Sequence, residues 1–294
     1  TEAYELVRKG VKQDIKSHVC WHVYGLLYRS DREYLQAIKC YRGALRHDKD
    51  NIQILRDLSL LQVQMRDLPG FVQTRQQLLT LKPTNRNNWF SFALAAHLQK
   101  RYGQAVSIIE SYEATLEGSP DNDYEHSEML LFKNMLIEES GDTAGALEHL
   151  DSIETQVVDK SGMKETRGQL LLKLEKFDEA AKVFTELVSR NPENVRYHAG
   201  RQAAALRTSG MTEQWTEAEL DSSSEQTLRA MYATLQSEFP RSSVCLRLPL
   251  DFARTPEYFK AVLAAYVLPV LRKGVPSLYA NLKPLTACAW KREA

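Results

Sequence analysis

The sequence is short of the groups that covalent and catalytic scaffolds require. Its four cysteines, Cys20, Cys40, Cys245 and Cys288, form no CxxC pair and are too sparse for a disulfide framework, so they read as reduced, mostly buried thiols. Neither sign of charge is in excess. Lys+Arg and Asp+Glu both number 38, and the zero balance excludes nucleic-acid binding by the whole surface while leaving a local basic patch open. No apolar run approaches the roughly 18 residues that cross a bilayer, and no signal-peptide pattern opens at Thr1, which predicts a cytoplasmic protein with no membrane contact. A glycine-rich phosphate loop and a GxSxG elbow are both missing, which predicts no catalytic residue. No useful stretch alternates with a period of two, so the class is all-α.

What is present is a repeat. Trp21, Tyr24, Gly25 and Tyr28, followed by Ala37, Tyr41 and Ala44, fill the two halves of a helix pair over 18–51. Stepping about 34 residues gives Leu55, Leu58 and Ser59 with Leu78 and Pro83, a degenerate copy that has Phe71 where a small residue belongs. The next copy carries Trp89, Phe92 and Ala93 with Ala105, Ile109 and Tyr112. The polar Gly118 to Tyr124 loop then shifts the register to Leu130, Ala146, Leu150 and Ile153, and a fifth copy has Gly168, Leu171, Ala180, Phe184, Leu187 and Pro192. This is the W-x2-L-G-x2-Y, A-x3-F, P pattern of the tetratricopeptide repeat, and it predicts a right-handed α-solenoid of helix pairs.

Repeats are expected to start near 18, 52, 86, 127 and 161, after a partial repeat over 1–17 that suggests a fragment of a longer polypeptide. The array spans 1–193. Over 194–294 the pattern loosens into divergent helices: 195–206, then 225–239 after a flexible insertion at 208–224, an extended link over 247–252, and helices over 257–271 and 276–282. Small residues such as Gly25, Ala37, Ala93 and Gly168 let paired helices approach, and the aromatics and leucines fill between layers.

Chemistry is thin. His18 and His22 stand at i and i+4, a chelating spacing, but no third ligand accompanies them, so they read as groove-lining and no metal site is expected. In such stacks the first helix of each pair lines the concave face. Its expected partner-facing residues are His22, Arg29, Arg56, Gln64, Phe90, His97, Met135 and Glu138, a mixed surface suited to a protein ligand. A chaperone-type carboxylate clamp is rejected, because His22, Leu26, Asp57 and Ser91 stand where it needs Lys, Asn, Asn and Arg. Arg8, Lys9, Lys12 and Lys16 would share a stripe if the first helix ran that far, and Arg42, Arg46 and Lys49 cluster toward the end of the next second helix. Such runs are usually solvated faces, though they suit phosphates.

Four longer strings go beyond the repeat signature: KSHVCWHVYGLLYRSDREYLQAIKCYRGAL (16–45), NIQILRDLSLLQVQMRDL (51–68), NPENVRYHAG (191–200) and FPRSSVCLRLPLDF (239–252). In them the chain resembles the auxiliary subunits of the N-terminal acetyltransferase A (NatA) complex. The resemblance implies a non-catalytic scaffold that wraps a GNAT-fold catalytic subunit and biases it toward small N-terminal residues. It also implies docking on the ribosome, against rRNA or a ribosomal protein near the exit tunnel, for co-translational acetylation. The sequence has no Q/RxxGxG/A turn, so acetyl-CoA is expected in the catalytic partner and no cofactor in this chain. On that view the seven basic residues above are the candidate ribosome contacts. The alternative is a general tetratricopeptide adaptor holding a peptide or helix in its groove.

Overall fold

A computed structural model describes residues 2–116, 123–212, 220–288 and 290–291. Among them every regular element is helical. The chain divides into two compact units, Thr1–Asp142 and Thr143–Ala294.

The first unit holds α1 (Glu2–Gln13), α2 (His18–Ser30), α3 (Tyr34–Leu45), α4 (Ile52–Gln64), α5 (Leu68–Leu81), α6 (Arg86–Leu98), α7 (Tyr102–Glu113) and α8 (Tyr124–Glu139). The second holds α9 (Thr143–Ser152), α10 (Lys160–Lys173), α11 (Phe177–Arg190), α12 (Val195–Leu206), α13 (Ser222–Glu238), α14 (Ser243–Arg247), α15 (Pro249–Phe252), α16 (Pro256–Arg272), α17 (Leu278–Leu282) and a closing 3-10 turn (Lys283–Ala287). First helices begin at His18, Ile52, Arg86, Tyr124 and Lys160, in step with the repeat.

Each start has a local cause. The side-chain oxygens of Ser17, Asn51 and Asn85, at identical 34-residue spacing, accept from the amides of Cys20, Ile54 and Asn87 and cap α2, α4 and α6. A second device ties each first helix to the loop before it. The Trp21 indole donates to the Ile15 carbonyl at 2.8 Å and Trp89 to that of Pro83 at 2.7 Å. In the second unit His198 takes this place, its Nε2 2.8 Å from the Pro192 carbonyl.

The helices of a pair approach closely because a small residue on one faces a large one sixteen residues on. A Cβ added to Gly25 would lie 2.4 Å from the Tyr41 ring. The Phe184 ring is held between two glycines, 2.7 Å from a Cβ built on Gly168 and 2.2 Å from one on Gly200. Where the small residue is Ala93, its counterpart is the smaller Ile109, and both are buried in one cluster with Phe92, Ala96 and Ala105. Pair volume is conserved, as a close-packed interior requires.

The structure corrects four expectations. Helix α1 stops at Gln13, since Asp14 and Ser17 form the turn that starts α2, and this takes Lys16 off the helical stripe of Arg8 and Lys12. Tyr124 opens α8 instead of closing a loop, because the Asp123 carboxylate accepts from the His126 amide and caps the helix; residues 118–122 of that loop lie outside the described residues. Helix α13 starts at Ser222, three residues early, capped by Asp221. Of the 208–224 insertion, 213–219 lie outside the described residues. The 247–252 segment is helical: Ser242 caps α14, Pro249 sits in the first turn of α15, and Leu248, Leu250 and Phe252 are all buried. The loosening of the pattern from 194 is no break in packing at that point, since Phe184 of α11 lies against Gly200 of α12.

A polar network knots the second unit. Buried His198 offers Nδ1 to the Tyr232 hydroxyl at 3.3 Å, and that hydroxyl accepts from Gln202 at 2.7 Å. The Ser242 hydroxyl donates to the Pro192 carbonyl at 3.1 Å, joining α14 to the α11–α12 turn. Burial pushes the His198 pKa below its ordinary value and Arg201 adds to that, while the Pro192 carbonyl and Glu193 oppose it. A neutral ring fills every partner here; a second ring proton would meet the Tyr232 O–H.

Two predictions rest on these contacts. Gly200→Ala should lower stability by about 1 to 3 kcal/mol through overpacking against Phe184, while Gly103→Ala, with open space at its Cβ, should leave the melting temperature level or higher, both read by thermal denaturation. His198 is depressed in the folded state, so its contribution is complete above the unfolded value of about 6.5 and is lost as pH falls below it. Chemical denaturation between about pH 7 and pH 5 should show that loss, and His198→Gln should flatten it.

Candidate functional site

The first-helix face of the first unit is more self-engaged than the sequence suggests. Asp57 on α4 is only 7% exposed and gathers three partners: His22 Nε2 at 2.8 Å, Arg29 at 3.2 Å and Gln53 at 3.3 Å. Two of these come from α2, so the carboxylate clasps neighbouring first helices. His22 and Arg29, expected to face a partner, are held by this clasp. His97 on α6 likewise meets Glu139 of α8 at 2.7 Å, and Phe90 packs on Phe132 with ring centroids 5.2 Å apart. Arg56 and Gln64 are exposed, whereas Met135 and Glu138 are half-buried on α8.

The two histidines of the chelating spacing go to different carboxylates, His18 to Asp48 at 3.7 Å and His22 to Asp57. Among the described residues no three His, Cys, Asp or Glu side chains converge as a metal site would need. A Cys–His pair that spacing could not disclose lies in the second unit, where Cys245 Sγ is 4.0 Å from His198 Nε2. Both groups are buried, and burial raises the thiol pKa and lowers that of the imidazole, so the pair is neutral and unsuited to nucleophilic work.

Of the basic residues, Arg8, Lys9 and Lys12 lie exposed on α1, and Lys16 is exposed in the turn beyond it. Arg42 is held by Asp67 at 2.9 Å. Arg46 caps the end of α3 and Lys49 follows in the next turn, both exposed, so this second cluster straddles the helix end and has one member, Arg42, already paired. No helix among the described residues is long and apolar enough to cross a membrane.

Similarity to known proteins agrees with this arrangement of helix pairs. The family model described as N-terminal acetyltransferase A, auxiliary subunit, matches residues 124–294. The N-terminal acetyltransferase A complex auxiliary subunit NAA15 of Arabidopsis thaliana is 54% identical over 288 residues, covering 97% of this chain and 31% of the relative. The N-alpha-acetyltransferase 16, NatA auxiliary subunit, of Homo sapiens is 44% identical over 285 residues with the same coverage. A chain of the solved structure of Naa15/Naa10 bound to HypK-THB superposes with a TM-score of 0.84 at 39% identity, covering 99% of this chain and 42% of that one. The chain thus spans 31% of the length of the curated relatives it matches. With more than half of its residues matched by that family model, the chain belongs to the family of N-terminal acetyltransferase A auxiliary subunits.

Proposed function

We propose that this chain is part of a non-catalytic scaffold subunit of a NatA complex, which holds a GNAT-fold catalytic subunit and docks it on the cytoplasmic ribosome. The observation that carries the reading is the superposition, over 99% of the chain, on a structure that contains Naa15 with Naa10. Identity of 54% and 44% to proteins named as auxiliary subunits supports it.

The physics of such a role is positioning. Hairpins locked by the Gly25–Tyr41 and Phe184–Gly200 contacts present surfaces that lose little conformational freedom on assembly. Acetyl-CoA belongs to the catalytic partner on this view. The exposed charges of Arg8, Lys9 and Lys12, which form no ion pair among the described residues, are the ribosome-facing candidates, with Lys16 in the turn after α1 and Arg46 and Lys49 at the end of α3 as further ones. Phosphate contacts of this kind act through counterion release and weaken steeply with salt.

Tagged full-length protein is expected to co-purify a GNAT-fold subunit; recovery of none would favour a general peptide-binding adaptor instead. Charge reversal at Arg8, Lys9 and Lys12 should reduce co-sedimentation with ribosomes, most clearly at low salt and less as salt rises, while leaving that co-purification intact. Unchanged sedimentation would remove α1 from the ribosome contact.

A further inference from the structure

At the turn within each of five helix pairs, one residue stands in the left-handed region where glycine is the usual choice. These are Arg32 (φ 63), Arg66 (φ 59), Lys100 (φ 60), Glu175 (φ 59) and Arg207 (φ 54). In the first unit the amide of the following residue closes the helix end each time: Glu33 to the Tyr28 carbonyl at 2.8 Å, Asp67 to Gln62 at 2.8 Å, and Arg101 to Ala96 at 3.0 Å. A glycine would make the same turn without the Cβ penalty. The first unit instead carries a basic side chain at all three positions, 34 residues apart, and all three are exposed.

Among the described residues nothing engages any of the three charges. Arg207 in the second unit pairs with Asp178 at 3.3 Å and stacks on Phe177, whereas Arg32, Arg66 and Lys100 make no ion pair among the described residues. Two of their acidic sequence neighbours are turned elsewhere, Asp31 accepting from the Tyr4 hydroxyl at 2.8 Å and Asp67 from Arg42. Next to the ladder lies a groove of about 720 Å³, lined by Arg29, Leu60, Val63, Gln64, Arg66 and Leu98 among others. Leu60 is 49% and Leu98 37% exposed, a large aliphatic surface left in water beside unpaired cations.

We propose that this turn edge of the first unit binds an acidic, aliphatic-rich protein segment. Carboxylates meet Arg32, Arg66 and Lys100, and aliphatic side chains cover Leu60 and Leu98 in the groove. Charge selects an anion; the lining selects a peptide, because four of its seven residues are Leu or Val and none offers an aromatic face on which bases could stack. Successive turns lie one helix pair apart, and neighbouring first helices, close enough for His22 and Arg29 of α2 to reach Asp57 of α4, stand roughly 10 Å apart, which an extended chain spans in about three residues. An acidic residue at every third position therefore matches the ladder. The site is independent of the acetyltransferase reading and would serve any partner with that pattern.

The test uses the 294-residue chain and a fluorescent peptide of four Glu-Leu-Ser repeats, followed by anisotropy at about 50 mM salt. Comparison ligands are the Gln-Leu-Ser and Glu-Ser-Ser peptides and an oligouridylate of equal length. The Glu-Leu-Ser peptide should bind, both comparison peptides more weakly, and the RNA more weakly still. Arg32→Gly/Arg66→Gly/Lys100→Gly should weaken peptide binding about tenfold while holding or raising the melting temperature, since glycine relieves all three turns. A loss of binding in a more stable variant cannot come from misfolding. Arg8→Gln/Lys9→Gln/Lys12→Gln, which removes as much charge from α1, should leave binding within about twofold. The proposal is overturned by absent peptide binding, by Gln-Leu-Ser binding equally well, by tighter binding of the RNA, or by equal losses in the two triple variants.

Discussion

Close approach of two helices at a residue without a side chain is the constraint on which the rest of the structure depends. Tyr41 against Gly25, and Phe184 between Gly168 and Gly200, leave no room for a methyl group on the facing helix. Because the large residue stands sixteen positions after the small one, each contact sets how a first helix meets its second. Gly200 extends the contact to the following pair, so one phenylalanine ring sets two interfaces in the second unit. The exchange of Gly25 and Tyr41 for Ala93 and Ile109 shows that the repeat keeps summed volume and lets identity drift.

A second layer of restraint is polar and local. Ser17, Asn51 and Asn85 begin the first helices, and ring N–H groups at Trp21 and Trp89 hold the preceding loops. In the divergent part of the chain His198 does this work, and its other nitrogen is drawn into the Tyr232 and Gln202 network. An imidazole offers two polar atoms where an indole offers one. That lets the same position clip a loop and bind the next helix, at the expense of sensitivity to acid.

These restraints decide what surface remains. The Asp57 and Glu139 clasps use up His22, Arg29 and His97, so much of the first-helix face works to hold neighbouring helices in register. Free charge of the first unit stands on α1 and also along the turn edge, where backbone conformation favours glycine and the chain carries arginine and lysine. A family membership read from the whole chain and a binding edge read from three turns are separate inferences, and each can stand without the other.

The sequence by itself determined the helix pairs, their 34-residue step and the start of nearly every first helix, because helix periodicity, caps and small-to-large spacing are local or recur at fixed intervals, and it carried the family in four strings that go beyond the repeat. It also placed Val195–Leu206 as a helix, despite the loosened pattern. It did not disclose the end of α1, the helical nature of 247–252, or which polar groups on the first-helix face are already paired. Those were decided by tertiary structure: Pro249 is buried along with Leu248, Leu250 and Phe252, and one face of an extended link could not cover all four. His22 meets Asp57 across 35 residues only once the helix pairs have stacked, and a contact between separate helices leaves no periodic trace in either one.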